Sequence, residues 1–136
     1  MEHFNKLITY LIAIQNFCKD IHYHCHGESF YSKHLFVDRI QENLYNYIDE
    51  IKEVCLLGND VSPLLSGEYL SRATSLIPLL ENKDLQNFVS LGKIIVETLA
   101  LIDNMDKLTQ GEANLMGTIA QDLQNSLGLL NLQVKE

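Results

Sequence analysis

Apolar side chains recur along this chain at steps of three and four residues in four separate stretches, and only two prolines, Pro63 and Pro78, interrupt it. Such a period places the apolar residues on one face of an α-helix, because 3.6 residues complete a turn. Phe4, Leu7, Leu11, Ile14, Cys18 and Ile21 form the first stripe, which predicts a helix A ending near Gly27. Val37, Ile40, Leu44, Ile48, Ile51 and Cys55 form the second, predicting one continuous helix B over roughly 31 to 57 with Gly58 as its C-cap. Leu85, Phe88, Gly92, Ile95, Leu99 and Ile102 predict helix C. Met116, Ile119, Leu123, Leu127 and Leu130 predict helix D after a break around Asp106 to Gly111.

Both prolines fall between 59 and 81, where no sustained period exists, so this segment reads as a long crossover with a short helical piece at Ser66 to Leu70. Hairpin, long crossover, hairpin is the connectivity of an all-α, ferritin-like four-helix bundle. The length of 136 residues and the 46% apolar content suffice for one core, so residues 1–136 are expected to form one domain.

Acidic residues outnumber basic ones 18 to 10, giving a formal charge of −8. The basic residues are scattered singly, with no patch to grip DNA or an anionic membrane, and the balance suits metal cations better. Three cysteines, Cys18, Cys25 and Cys55, cannot all pair within one chain and are read as reduced thiols of a cytoplasmic protein. Cys18 and Cys55 lie on apolar stripes and are expected in the core. The N-terminal residues do not read as a secretion signal, and no uninterrupted apolar run approaches membrane-spanning length.

Helix B carries a second stripe. With Val37 at zero and ~100° per residue, His34, Asp38, Asp49 and Glu53 fall at about 60°, 100°, 120° and 160°, beside the apolar face and outside it. Side chains placed there serve a surface or an interface and not the bundle interior. His34 and Asp38 form one i, i+4 pair, and Asp49 and Glu53 form another. The pair centres lie ~22 Å apart along the helix, too far for one metal ion. A second helix B packed antiparallel across a two-fold near Asn43 and Leu44 would bring the first pair of one chain to the second pair of the other, producing two equivalent sites. His22, at the end of helix A, can join His34 through the turn at Gly27. Two imidazoles and three carboxylates suit ferrous iron, zinc or manganese.

The stretch from His22 to Asp38, followed by Tyr47-Ile48-Asp49-Glu50-Ile51-Lys52-Glu53, resembles the signature of the Dps family, the mini-ferritins. That pattern has a His on helix A, a His 12 residues later, an Asp 4 further, an Asp 11 further and a Glu 4 further, and His22, His34, Asp38, Asp49 and Glu53 match every interval. Thr109 to Leu130 is similar to the family's last helix. The resemblance implies a hollow dodecamer in which Fe(II) is oxidised, commonly by hydrogen peroxide and otherwise by oxygen, and stored as ferric mineral. It would make the chain a ferroxidase protecting against oxidative damage. His22, His34 and Asp38 would come from one subunit, and Asp49 and Glu53 from its two-fold partner.

Two features depart from the family pattern. Tyr23 stands where the family usually has Trp, and Ser126-Leu127-Gly128 replaces a common His-Ile-Trp segment of the last helix. They keep open a non-enzymatic, metal-binding cage as the alternative function. Members that bind DNA carry a Lys-rich N-terminal extension. Here helix A is expected to begin almost at once, so no DNA binding is expected. His22, Cys25 and His26 could form a separate zinc or copper site, although His24 lies roughly 200° round the helix from His22. Asp103, Asp106 and Glu112 are candidates for an iron entry pore, or else ordinary helix-end charges.

Overall fold

In the computed structural model, which describes residues 1–135, the chain is helical throughout its regular structure: α1 (Glu2–His24), α2 (Phe30–Gln41), α3 (Leu44–Glu50), α4 (Ser66–Thr74), α5 (Asp84–Asp103) and α6 (Gln110–Val134). α1 packs against α2 and α3, against the crossover helix α4 and against α5, while α5 pairs with α6. This is the expected ferritin-like bundle, with α4 as the extra helix of the crossover.

The first stripe understates how much of α1 is covered. Ile8, Ala13 and Phe17 are buried along with Leu7, Leu11 and Ile14, because α1 has neighbours on several sides. Cys18 and Cys55 are fully buried, as expected of core residues.

Helix B is not continuous. α2 stops at Gln41, Glu42 and Asn43 form a turn with right-handed helical dihedrals, and α3 resumes at Leu44. Asp122 on α6 accepts hydrogen bonds at this break from Asn43 Nδ2 (3.2 Å) and from the Tyr47 hydroxyl (2.7 Å). Beyond α3 the chain widens into a π-helical turn, Ile51–Leu56, and then a 3₁₀ turn, Leu57–Asn59. The i→i+5 closure of a π turn aligns Ile51 with Leu56 and keeps Cys55 beside them, and all three are fully buried. An unbroken α-helix would carry Leu56 a further ~100° round from Cys55. The left-handed residue that ends this segment is Asp60 (φ 59°), not Gly58 as expected.

α5 also departs from expectation. It has the length and apolarity of a membrane span, with a mean hydropathy of 1.4 over 18 residues. Phe88, Leu91, Ile95 and Ile102 are buried in the bundle, while Leu85, Val89 and Val96 stay exposed. Leu85 opened the predicted stripe and does not belong to the core.

Thr109 caps α6 through a complete capping box. Its hydroxyl accepts from Glu112 N–H (3.2 Å), and Glu112 Oε1 accepts from Thr109 N–H (3.0 Å). Asn59 Nδ2 donates to the other oxygen at 2.7 Å. Glu112 is buried, and the Thr109 backbone bond leads the contributions that hold its carboxyl below the usual range. Its contribution is therefore present above the unfolded glutamate pKa and lost as pH falls through the lower folded value. Glu112→Ala is expected to lower stability by about 1 kcal/mol. Glu112→Gln, which can still close the box, should keep most of that stability at neutral pH and lose its acid dependence. Urea unfolding midpoints at neutral and at acid pH check both.

Candidate metal centre

His22 sits in the last turns of α1 and His34 in the second turn of α2, and the turn between the helices sets their imidazoles face to face. The ring centroids are 3.5 Å apart and the planes differ by 23°. Each ring is fixed by the other residue's backbone: Nδ1–H of His22 donates to the His34 carbonyl (3.0 Å), and Nδ1–H of His34 donates to the His22 carbonyl (2.8 Å). A carbonyl only accepts, so both Nδ1 atoms carry the proton, and in the neutral ring the lone pair is then on Nε2. This is the arrangement in which a histidine binds metal while a second hydrogen bond orients it.

The stacking also limits what the pair can hold. An imidazole lone pair lies in its ring plane, so two nearly parallel rings do not converge on one ion. Each would serve its own ion.

Asp38, one turn beyond His34 on α2, is half-buried. Its Oδ1 accepts from Lys19 Nζ (3.2 Å) and Gln41 Nε2 (3.0 Å), and the Lys19 bond is the main reason its carboxyl sits below the usual range. Lys19 lies three residues before His22 on the same face of α1, and that spacing would have identified it. Aromatic rings surround the pair. Tyr23 meets His22 edge-on at 4.9 Å, Phe30 lies 5.4 Å from His34, and the exposed Tyr31 is stacked 6.5 Å from it.

Asp49 and Glu53 are exposed on α3 and on the π turn. The wider turn advances each residue by less than an α-helix does, which brings Glu53 back toward the line of Asp49. Among the described residues, no three His, Cys, Asp or Glu side chains of one chain are close enough to hold a single ion. His22, Cys25 and His26 do not form such a group: Cys25 is buried, with its sulfur 3.9 Å from the His22 and Phe30 carbonyls. Of the pore candidates, Asp103 and Asp106 are exposed, whereas Glu112 is occupied by the capping box. Ser126 is buried beside a polar cleft shared with Phe36, Arg39 and Asp122, where the departure in the last helix falls.

The turn between α1 and α2 is tied from outside. Asp84, the first residue of α5, accepts at Oδ2 from His26 N–H (3.1 Å) and Lys33 Nζ (2.9 Å), and Lys33 Nζ also donates to the His26 carbonyl (3.3 Å). Nothing in the local sequence pointed to this contact, which joins His26 to a residue 58 positions away.

A helical bundle of this connectivity has a counterpart among solved structures. The chain superposes on the crystal structure of Dps from Thermosynechococcus elongatus with a TM-score of 0.78 and 17% sequence identity, over 98% of this chain and 88% of that one. It therefore has the Dps-type ferritin-like fold. No protein-family model matches the sequence, and no curated protein does.

Proposed function

We propose that this protein oxidises Fe(II) at two-fold interfaces between identical subunits and stores the ferric product inside a hollow homo-oligomer, protecting a cytoplasm from peroxide and iron. The reciprocal bonding of His22 and His34 carries this reading, because it orients two imidazoles while, among the described residues, no three ligand-type side chains of one chain are grouped to hold an ion. The missing ligands are Asp49 and Glu53 of a second copy, at the distance that an antiparallel pairing of helix B spans.

Iron is the substrate. Each imidazole takes one ferrous ion, and the carboxylates neutralise its charge and tolerate the harder ferric product. Each ion gives up one electron, and hydrogen peroxide accepts both electrons with two protons and leaves as two waters. Zinc or manganese would compete for the same ligands. Lys19 pairs with Asp38 at 3.2 Å and holds its carboxyl below the usual range.

Assembly beyond the two-fold, to a dodecamer as in the family that the sequence resembles, is supported by the exposed apolar edge of α5. There Val89 and Val96 border a groove with Gly92 and Leu127. Asp103 and Asp106 remain candidates for an entry route. DNA is not a partner in this reading, because the chain has no basic cluster.

Stopped-flow absorbance after mixing with Fe(II) and peroxide tests the proposal. Rapid ferric absorbance is expected from the native chain and only the background rate from an Asp49→Ala, Glu53→Ala variant. Equal rates would refute the site. A native chain that binds zinc at these residues but oxidises iron no faster than background would be the non-enzymatic cage instead.

A further inference from the structure

The geometry points to Asp84 as a positioning residue for this site, acting through the α1–α2 turn on the two imidazoles. The inference rests on the reading of His22 and His34 as metal ligands. Between the helices the chain has five residues, Cys25 to Ser29, in which to bring the rings together, and two of them are left-handed: Gly27 at φ 78° and Ser29 at φ 63°. The second is an unfavourable conformation for a residue with a Cβ, and it persists only where surrounding contacts impose it. The turn's own bonds reach no further than the adjoining helix ends: Cys25 N–H to the Ile21 carbonyl (2.8 Å), the His26 ring to the His24 carbonyl (3.3 Å), Phe30 N–H to the Gly27 carbonyl (3.2 Å), Lys33 N–H to the Ser29 carbonyl (3.0 Å), and the long Cys25 thiol contacts.

Asp84 supplies what the turn lacks. One of its oxygens holds His26 within the turn and Lys33 after it, and Lys33 is bonded in sequence to His34. The carboxylate is only 9% exposed, so water screens these bonds little, and its place in the first turn of the 20-residue α5 keeps it rigid and suits its charge. Each imidazole is oriented by the other residue's carbonyl. A small movement of the turn therefore breaks both orienting bonds together and frees both rings to change tautomer.

Cobalt(II), followed by its visible absorption, is a suitable probe with the assembled protein, alongside ¹⁵N spectra of the imidazoles. Asp84→Ala is expected to weaken cobalt binding roughly tenfold or more, in the range found for residues that orient metal ligands. It should also replace the uniform Nδ1–H pattern of His22 and His34 with a tautomer mixture. Asp84→Asn, which still accepts from His26 N–H, should fall between. Affinity within about twofold of the parent and unchanged imidazole spectra in folded Asp84→Ala would overturn the inference. Where that variant does not fold, Lys33→Met carries the same expectation and the same overturning result. A His22→Ala, His34→Ala variant separates the two ideas. If it binds cobalt as the parent does, the metal-site reading itself fails. If it loses binding while Asp84→Ala and Lys33→Met retain it, only the role of Asp84 fails.

Discussion

Two inactive variants of this protein are expected to regain iron oxidation when their subunits are mixed. One carries His22→Ala and His34→Ala, the other Asp49→Ala and Glu53→Ala. Each alone lacks part of every site and should oxidise Fe(II) at the background rate. At a mixed interface, the histidines and Asp38 of the second variant meet the Asp49 and Glu53 of the first. One of the two sites is then complete and the other loses both halves. Random assortment of equal amounts makes half of the interfaces mixed, so about a quarter of all sites should recover, as the isologous symmetry requires. Unfolding the two variants together, refolding them and measuring the initial rate of Fe(II) oxidation checks this. If the five ligands served a site within one chain, mixing would restore nothing.

The second large effect concerns the attachment of the crossover. The Tyr69 ring is fully buried between α4 and α1, and its hydroxyl donates to Asn5 Oδ1 (2.6 Å) and accepts from Leu64 N–H (3.1 Å). Tyr69→Phe keeps the ring, including its position 5.1 Å from Lys52 Nζ, and removes only the oxygen. Two polar groups are then left without partners, at about 1–3 kcal/mol for each that stays dry. The thermal midpoint should fall by several degrees. A Tyr69→Phe, Asn5→Leu double variant should lose less than the sum of the two single variants, because the orphaned acceptor is gone as well. Strict additivity would show that the bond contributes nothing.

Much of this architecture was legible in the sequence because helical periodicity is local. The stripes of α1, α5 and α6 follow from side chains repeating near 3.6 residues, and so does the placement of His34, Asp38, Asp49 and Glu53 outside the apolar face. Helix B was read less well. Its stripe gave no sign of the interruption at Glu42 and Asn43, because the bonds from Asn43 and Tyr47 go to Asp122 on another helix. The π turn was hidden too, since an α-helical repeat does not show that Leu56 is buried together with Ile51 and Cys55. Leu85 fits its stripe and is nonetheless exposed, because no neighbouring helix covers the beginning of α5 on that side.

The types and intervals of the proposed ligands are therefore properties of the sequence, and the helix pitch alone places Asp49 and Glu53 out of reach of His34 within one chain. The bonding that orients those side chains is a property of the tertiary structure. The carbonyl that fixes each imidazole, the carboxylate of Asp84 that holds the turn, and the Tyr69 hydroxyl that joins α4 to α1 all involve groups from different elements. Hydrogen bonds form only within about 3 Å and along set directions. A repeat along one helix determines which face a residue occupies, but whether a distant oxygen arrives at that face depends on how the helices pack.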